Sequence, residues 1–197
     1  MLAHTHLKHK GAVSIINFPS VVFDNETAEK ILNTRHVLET QLGEHHLYSD
    51  GSFHRLEDAS TRMSFAVAYK SSNKTYDLAI SGTSQGQASS TRAEITGLLA
   101  AILCCPRNHP AKIYSDDQTT VSEFSALVQF PATTKQYLHS PNADWWGLIK
   151  KAYVQQGRHI TVQWVHGHHG VPGNVAADTW AGEAHTHEFA PWQINIP

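Results

Sequence analysis

The chain has 197 residues, enough for one domain with extensions or one domain plus a small second one. Hydrophobic residues make up 41% and charged residues 16%, which supports a packed core, and no run approaches the roughly 18 apolar residues of a membrane span. Net charge is −2 at pH 7 with neutral His, so there is no overall basic field and any nucleic-acid contact must come from a local patch.

The first ten residues lack an apolar signal-peptide core. Cys104 and Cys105 are the only cysteines and are adjacent, a poor arrangement for a structural disulfide. Both features point to a soluble chain inside the cell, in cytoplasm or nucleus. The 15 histidines are mostly scattered or near the ends and are read as solvent-exposed.

In chain order, Val13 to Phe18 suits a strand. Asp24 or Asn25 can cap a helix running to about Gln41, with Gly43 after its end and Ile31, Leu32, Leu38 and Leu42 on one face. Residues 1–44 are read as an N-terminal extension, packed beside the core or partly flexible. Leu47 to Phe53 is the first core strand. Met63, Phe65, Val67 and Tyr69 alternate with smaller or polar residues, which predicts a second strand. Ser71 to Lys74 reads as a turn, and Thr75 to Ser81 as a third strand of an antiparallel meander. Thr91 to about Cys104 is the clearest helix, with Ile95, Leu98, Leu99, Ile102 and Leu103 at helical spacing, Ser90 or Thr91 as cap and Pro106 beyond its end. Ala111 to Asp116 is a fourth strand, followed by a helix over about 118–128, a loop from Pro131 to Pro141, and a helix from Asp144 to about Gln156. His159 to Val165 is a fifth strand. His166 to Gly173 is a loop rich in His and Gly, and Asn174 to about Ala184 is the last helix. Residues 45–187 are read as one main domain and 188–197 as a tail without periodicity.

Strands first, then alternating helices and strands, indicate an α/β fold with a five-stranded mixed sheet flanked by helices. Strands joined through helices pair in parallel by right-handed crossovers. The first and fourth strands then lie side by side, and Asp50 and Asp116 meet at the sheet edge where α/β sites form.

Four acids require one explanation. Asp50 alone could belong to an Asp-Gly turn, and Glu94 alone could be an acid favoured in a helix's first turn. Asp116 ends a strand, and Asp178 lies one turn after Asn174 on the last helix. Carboxylates brought together repel one another. Hard divalent cations, Mg²⁺ or Mn²⁺, neutralise such a cluster, and two of them about 3.5–4 Å apart support in-line phosphodiester cleavage.

The segments Tyr-Ser-Asp50-Gly-Ser, Ser-Thr-Arg-Ala-Glu94-Ile, Ile-Tyr-Ser-Asp116-Asp-Gln and Trp-Val-His-Gly-His168-His-Gly-Val-Pro-Gly-Asn174-Val-Ala-Ala-Asp178 occur in that order. Over Leu47 to Ala184 the chain resembles the ribonuclease H family, most closely the domains of retroelement reverse transcriptases. The resemblance implies cleavage of the RNA strand of RNA–DNA hybrids, leaving 3′-hydroxyl and 5′-phosphate ends, with two Mg²⁺ ions (Mn²⁺ as substitute) held by Asp50, Glu94, Asp116 and Asp178. It places His168 on the loop histidine that assists catalysis or product release. It assigns Ser52, Ser90, Thr91, Arg92 and Asn174 to the substrate side, Asn174 in a positional role. Ser90-Thr91 stands where some members have Asn-Asn, and Asp117 where a small polar residue is usual. Asp117 is expected to cap the following helix. His166 and His169 flank His168, but no Cys or further paired His stands at zinc-ligand spacing.

No lysine-rich hybrid-gripping helix is visible, so affinity is expected to be modest or supplied by reverse transcriptase domains of a longer parent protein. Two other readings compete. A non-catalytic ribonuclease H-like docking domain of a reverse transcriptase would generally lack the acids. A related nuclease, resolvase or integrase would act on another nucleic acid.

Overall fold

Alternating apolar residues build the first half of the sheet, and helical crossovers build the second. The computed structural model describes residues 25–57, 59–71, 75–84, 88–130, 142–167 and 170–186. Helix α1 (Asn25–Glu39) precedes strands β1 (His45–Arg55), β2 (Thr61–Lys70) and β3 (Tyr76–Ser84). Helix α2 (Ser90–Cys104), strand β4 (Ala111–Ser115), helices α3 (Gln118–Gln129) and α4 (Ala143–Gln155), strand β5 (Ile160–Trp164) and helix α5 (Pro172–Glu183) follow. The expected strand at 13–18, the loop 131–141, the tail 188–197, most of the turn at Ser71–Lys74, and His168 and His169 lie outside the described residues.

The described strands form one mixed sheet in the order β3-β2-β1-β4-β5. β1 and β3 flank β2 antiparallel, while β1–β4 and β4–β5 are parallel. Helices pack on it, as the α/β reading requires. Tyr48 pairs with Tyr114, so two residues further on Asp50 and Asp116 stand level at the same edge.

Two expectations need correction. β1 does not end at Asp50 or Phe53 but runs to Arg55, paired with β2 throughout, so Asp50-Gly51 is mid-strand and not a turn. The reason lies across the interface, where a Cβ on Gly51 would stand 2.2 Å from the Glu94 nitrogen. Helix α2 is capped one residue earlier than expected, by Ser89, whose hydroxyl accepts from the Arg92 N–H at 3.1 Å.

Helix α2 is buried on nearly every side, with Ala100, Ala101 and Cys104 as inaccessible as the Leu and Ile stripe. Such a helix must be enclosed. The sheet covers one side, and α4, carrying buried Trp145 and Trp146, and α1, carrying buried Ile31 and Leu38, join the same core. Arg35 of α1 donates from Nε and a terminal nitrogen to the Leu103 carbonyl, at 3.2 and 3.0 Å. That carbonyl sits in the last turn of α2, where helix geometry leaves acceptors open. Cys104 and Cys105 are free thiols buried in this core. No helix among the described residues is long and apolar enough to cross a membrane.

Candidate active site

The site forms where β1, β4, α2 and α5 meet. Two glycines let α2 lie directly on β1. A Cβ on Gly51 would strike the backbone at Ala93 and Glu94, and one on Gly97 would come 2.8 Å from the Asp50 carbonyl oxygen. The close approach delivers Glu94 to the sheet edge. Gly173 does the same for α5, since a Cβ there would enter the Tyr48 ring at 2.4 Å. Tyr48 in turn stacks on Tyr114 at 4.8 Å between ring centroids.

Asp50, Glu94 and Asp116 each offer an oxygen within 4.8 Å of the others. Asp50 is 5% exposed. Burial, then the charges of Asp116 and Asp178, push its carboxyl up to about 8. Glu94 is pushed well above the usual carboxylate range by burial and by Asp50, Asp116 and Asp117, against a hydrogen bond from the Gly51 N–H. Asp178, on α5, is outside the tight three-acid group but near enough to act on Asp50.

Among the described residues no Lys or Arg forms an ion pair with Asp50, Glu94 or Asp116. Glu94 Oε2 is buried with no hydrogen-bond partner. Buried like charges and an orphaned oxygen are costly unless a cation completes them. The all-oxygen donor set fits a hard divalent ion.

Asn174, 2% exposed in the first turn of α5, donates from Nδ2 to Asp116 Oδ2 at 3.0 Å. Gly167 closes over the same carboxylate, since a Cβ there would stand 2.6 Å from Asp116 Oδ2. Asp117 caps α3, accepting from the N–H groups of Thr119 and Thr120 at 3.2 and 3.1 Å, while its charge still acts on Glu94.

Of the positions assigned to substrate, Ser90 is exposed and Ser52 and Thr91 are half-buried. Arg92 is turned inward. Its Nε donates to Asn142 Oδ1 at 3.2 Å, a terminal nitrogen stands 4.0 Å from Asp144, and the guanidinium lies 5.9 Å from the Trp145 ring centre. These contacts tie the first turn of α2 to the start of α4.

A family model described as RNase H matches residues 43–186. The chain belongs to the ribonuclease H family. At the family level it is therefore a nuclease-type hydrolase domain. Solved structures agree on the fold. A foamy viral protease–reverse transcriptase in complex with an RNA/DNA hybrid superposes with a TM-score of 0.61 at 16% identity, over 71% of this chain and 20% of that one. The foamy virus RNase H domain gives 0.56 at 17%, over 72% and 95%. RNase H1 from the archaeon Halobacterium salinarum gives 0.50 at 17%, over 73% and 98%. The chain thus spans about a fifth of the viral protease–reverse transcriptase it matches. A search of curated proteins finds no match.

The sequence reading missed residues of this ribonuclease H domain that shape the site without carrying charge. Gly97 is legible only as a glycine inside a helical pattern, which costs stability unless packing requires it, and Gly173 only as one glycine of a loop, although α5 already begins at Pro172. Trp164, at the end of β5, donates from Nε1 to the Asp116 carbonyl oxygen at 2.9 Å. Its position just before the His166–Gly173 loop was the available signal.

Proposed function

We propose that this domain is an endoribonuclease that cleaves the RNA strand of RNA–DNA hybrids and leaves 3′-hydroxyl and 5′-phosphate ends. The observation that carries the proposal is the convergence of Asp50, Glu94 and Asp116 at one sheet edge, with no Lys or Arg among the described residues paired to them. Asp50, Glu94, Asp116 and Asp178 would hold two Mg²⁺ ions, with Mn²⁺ as substitute. Bound there, the pair supplies Lewis-acid activation and charge stabilisation for in-line phosphodiester hydrolysis.

The chain's own groups set the remaining conditions. Asn174 fixes the Asp116 carboxylate by its hydrogen bond to Oδ2. Gly51 donates to Glu94 and fixes it against β1. His168 falls between β5 and α5 in the sequence and would deliver a proton to the departing oxygen or aid product release. Ser52, Ser90 and Thr91 would contact the hybrid, and Arg92 would serve by holding α2 against α4. Hybrid as substrate is supported by family membership and by the viral relative captured with RNA/DNA. The viral match also supports a parent protein carrying reverse transcriptase domains. Buried, unbridged Cys104 and Cys105 suit a reducing location inside the cell. Retention of the acids disfavours a docking-only role.

The test is hybrid cleavage by Asp50→Asn and Asp116→Asn. Both variants should fold and lose turnover. Near-normal cleavage by Asp50→Asn would show that the chemistry lies elsewhere.

A further inference from the structure

Trp164 is a large aromatic side chain left open beside the carboxylates. It closes β5, paired with Ser115, the residue before Asp116. Its exposure is 41%, whereas Trp145 and Trp146 are 2% and 1% exposed. A single exposed aromatic needs no explanation by itself. Here two contacts fix the ring. Nε1–H donates to the Asp116 carbonyl oxygen at 2.9 Å, and the His166 ring meets the indole edge-on at 4.3 Å between centroids. An indole has no second polar atom, so its remaining exposed surface is aromatic carbon. The protein therefore holds a rigid apolar platform at a site whose other conspicuous groups are charged.

Any nucleic-acid strand that brings a phosphate to those carboxylates also brings a sugar and a base. In a paired hybrid the base faces are covered by their neighbours, so the surface open to an indole is the sugar, whose C–H groups pack on a flat aromatic face without regard to sequence. A pinned ring loses little freedom on binding. We infer that Trp164 is a substrate-contact residue, packing its indole face against the sugar of the nucleotide next to the scissile phosphate. The inference rests on the hybrid-cleavage reading above. It also supplies part of the affinity that a chain of net charge −2 cannot draw from an overall basic field.

Three variants separate the ring face from the hydrogen bond. Trp164→Phe keeps an aromatic face and loses the donor, Trp164→Gln keeps a donor and loses the face, and Trp164→Leu loses both. The probe is a fluorescein-labelled RNA–DNA hybrid, followed by anisotropy at fixed salt in Ca²⁺, with KM and kcat measured in Mg²⁺. Packing a sugar on the ring covers roughly 40–80 Å² of apolar surface, worth about 1–2 kcal/mol, or roughly 5–30-fold in Kd. Leu and Gln should weaken hybrid binding by that factor and raise KM, with Phe close to wild type and Mg²⁺ affinity by calorimetry unchanged in all three. Unchanged Kd for Leu and Gln, or loss of kcat and Mg²⁺ affinity in Phe and Leu alike, overturns the inference and leaves the indole as a prop for Asp116. A wild-type protein that does not cleave hybrid defeats the parent reading instead.

Discussion

The acid cluster should be a source of instability in the absence of metal, and Asp50→Asn should relieve it. The Asp50 carboxyl is pushed to about 8 from an ordinary 3.8. Between those values the folded chain keeps a proton that the unfolded chain has released. Stability must then fall as pH rises from about 4 to about 8. At pH 7 the gap is worth at most about 4 kcal/mol, at about 1.4 kcal/mol per pH unit. Relaxation of the site brings the expected penalty to roughly 1–3 kcal/mol. Asparagine has no charge to lose and removes it. A chain of this size gains about 2–4 °C in Tm per kcal/mol, so Asp50→Asn should melt roughly 3–10 °C above wild type at pH 7–8 in chelator. The difference should shrink toward pH 4. Saturating Mg²⁺ should stabilise wild type more than the variant. Calorimetric melts across this range, with chelator and with Mg²⁺, read all of it. Parallel pH profiles for the two proteins would refute both the burial and the repulsion invoked for Asp50.

Gly51→Ala would place a Cβ 2.2 Å from the Glu94 nitrogen, in backbone rather than a movable side chain. It should cost at least about 3 kcal/mol and abolish turnover; a Tm near wild type refutes the close approach. His168→Ala should slow hybrid cleavage by roughly 10²–10⁴-fold, or by less if the histidine only aids product release, with Mg²⁺ binding retained. His166→Ala and His169→Ala should do much less, and steady-state rates with calorimetry for the three variants decide which histidine acts. A truncation beginning near Gly43 should retain cleavage, because all four acids of the site follow Tyr48, but α1 buries Ile31 and Leu38 and bonds through Arg35 to α2. The expected net loss is roughly 2–4 kcal/mol, read as a lower Tm, and a folded but inactive truncation contradicts it.

Asp50 and Asp116 were readable from the sequence because a carboxylate conflicts with a strand pattern, and Glu94 and Asp178 because they fall in motifs that follow in the same order. Periodicity placed β2 and α2, and the parallel-crossover rule set Asp50 beside Asp116. What stayed hidden belongs to tertiary contact. Asp50-Gly51 has a turn signature, yet β1 continues to Arg55 because the neighbouring helix requires a residue without a side chain there. The resemblance assigns Arg92 to the substrate side, and nothing in the sequence announces its bond to Asn142, a partner 50 positions away. Helix α1 has only a partial apolar face in sequence, and its attachment depends on Arg35 meeting one carbonyl at the far end of α2. Trp164 gave a strand-end aromatic and nothing about the Asp116 carbonyl it bonds.

Cleavage of end-labelled RNA–DNA hybrid, duplex RNA, duplex DNA and single strands, side by side in Mg²⁺ and in excess chelator, tests the proposed activity most directly. Only the RNA strand of the hybrid should be cut, with 3′-hydroxyl and 5′-phosphate ends, and chelator should stop the reaction. Full activity in chelator, or preferential cutting of any other substrate, would contradict hybrid cleavage by metal held on Asp50, Glu94, Asp116 and Asp178.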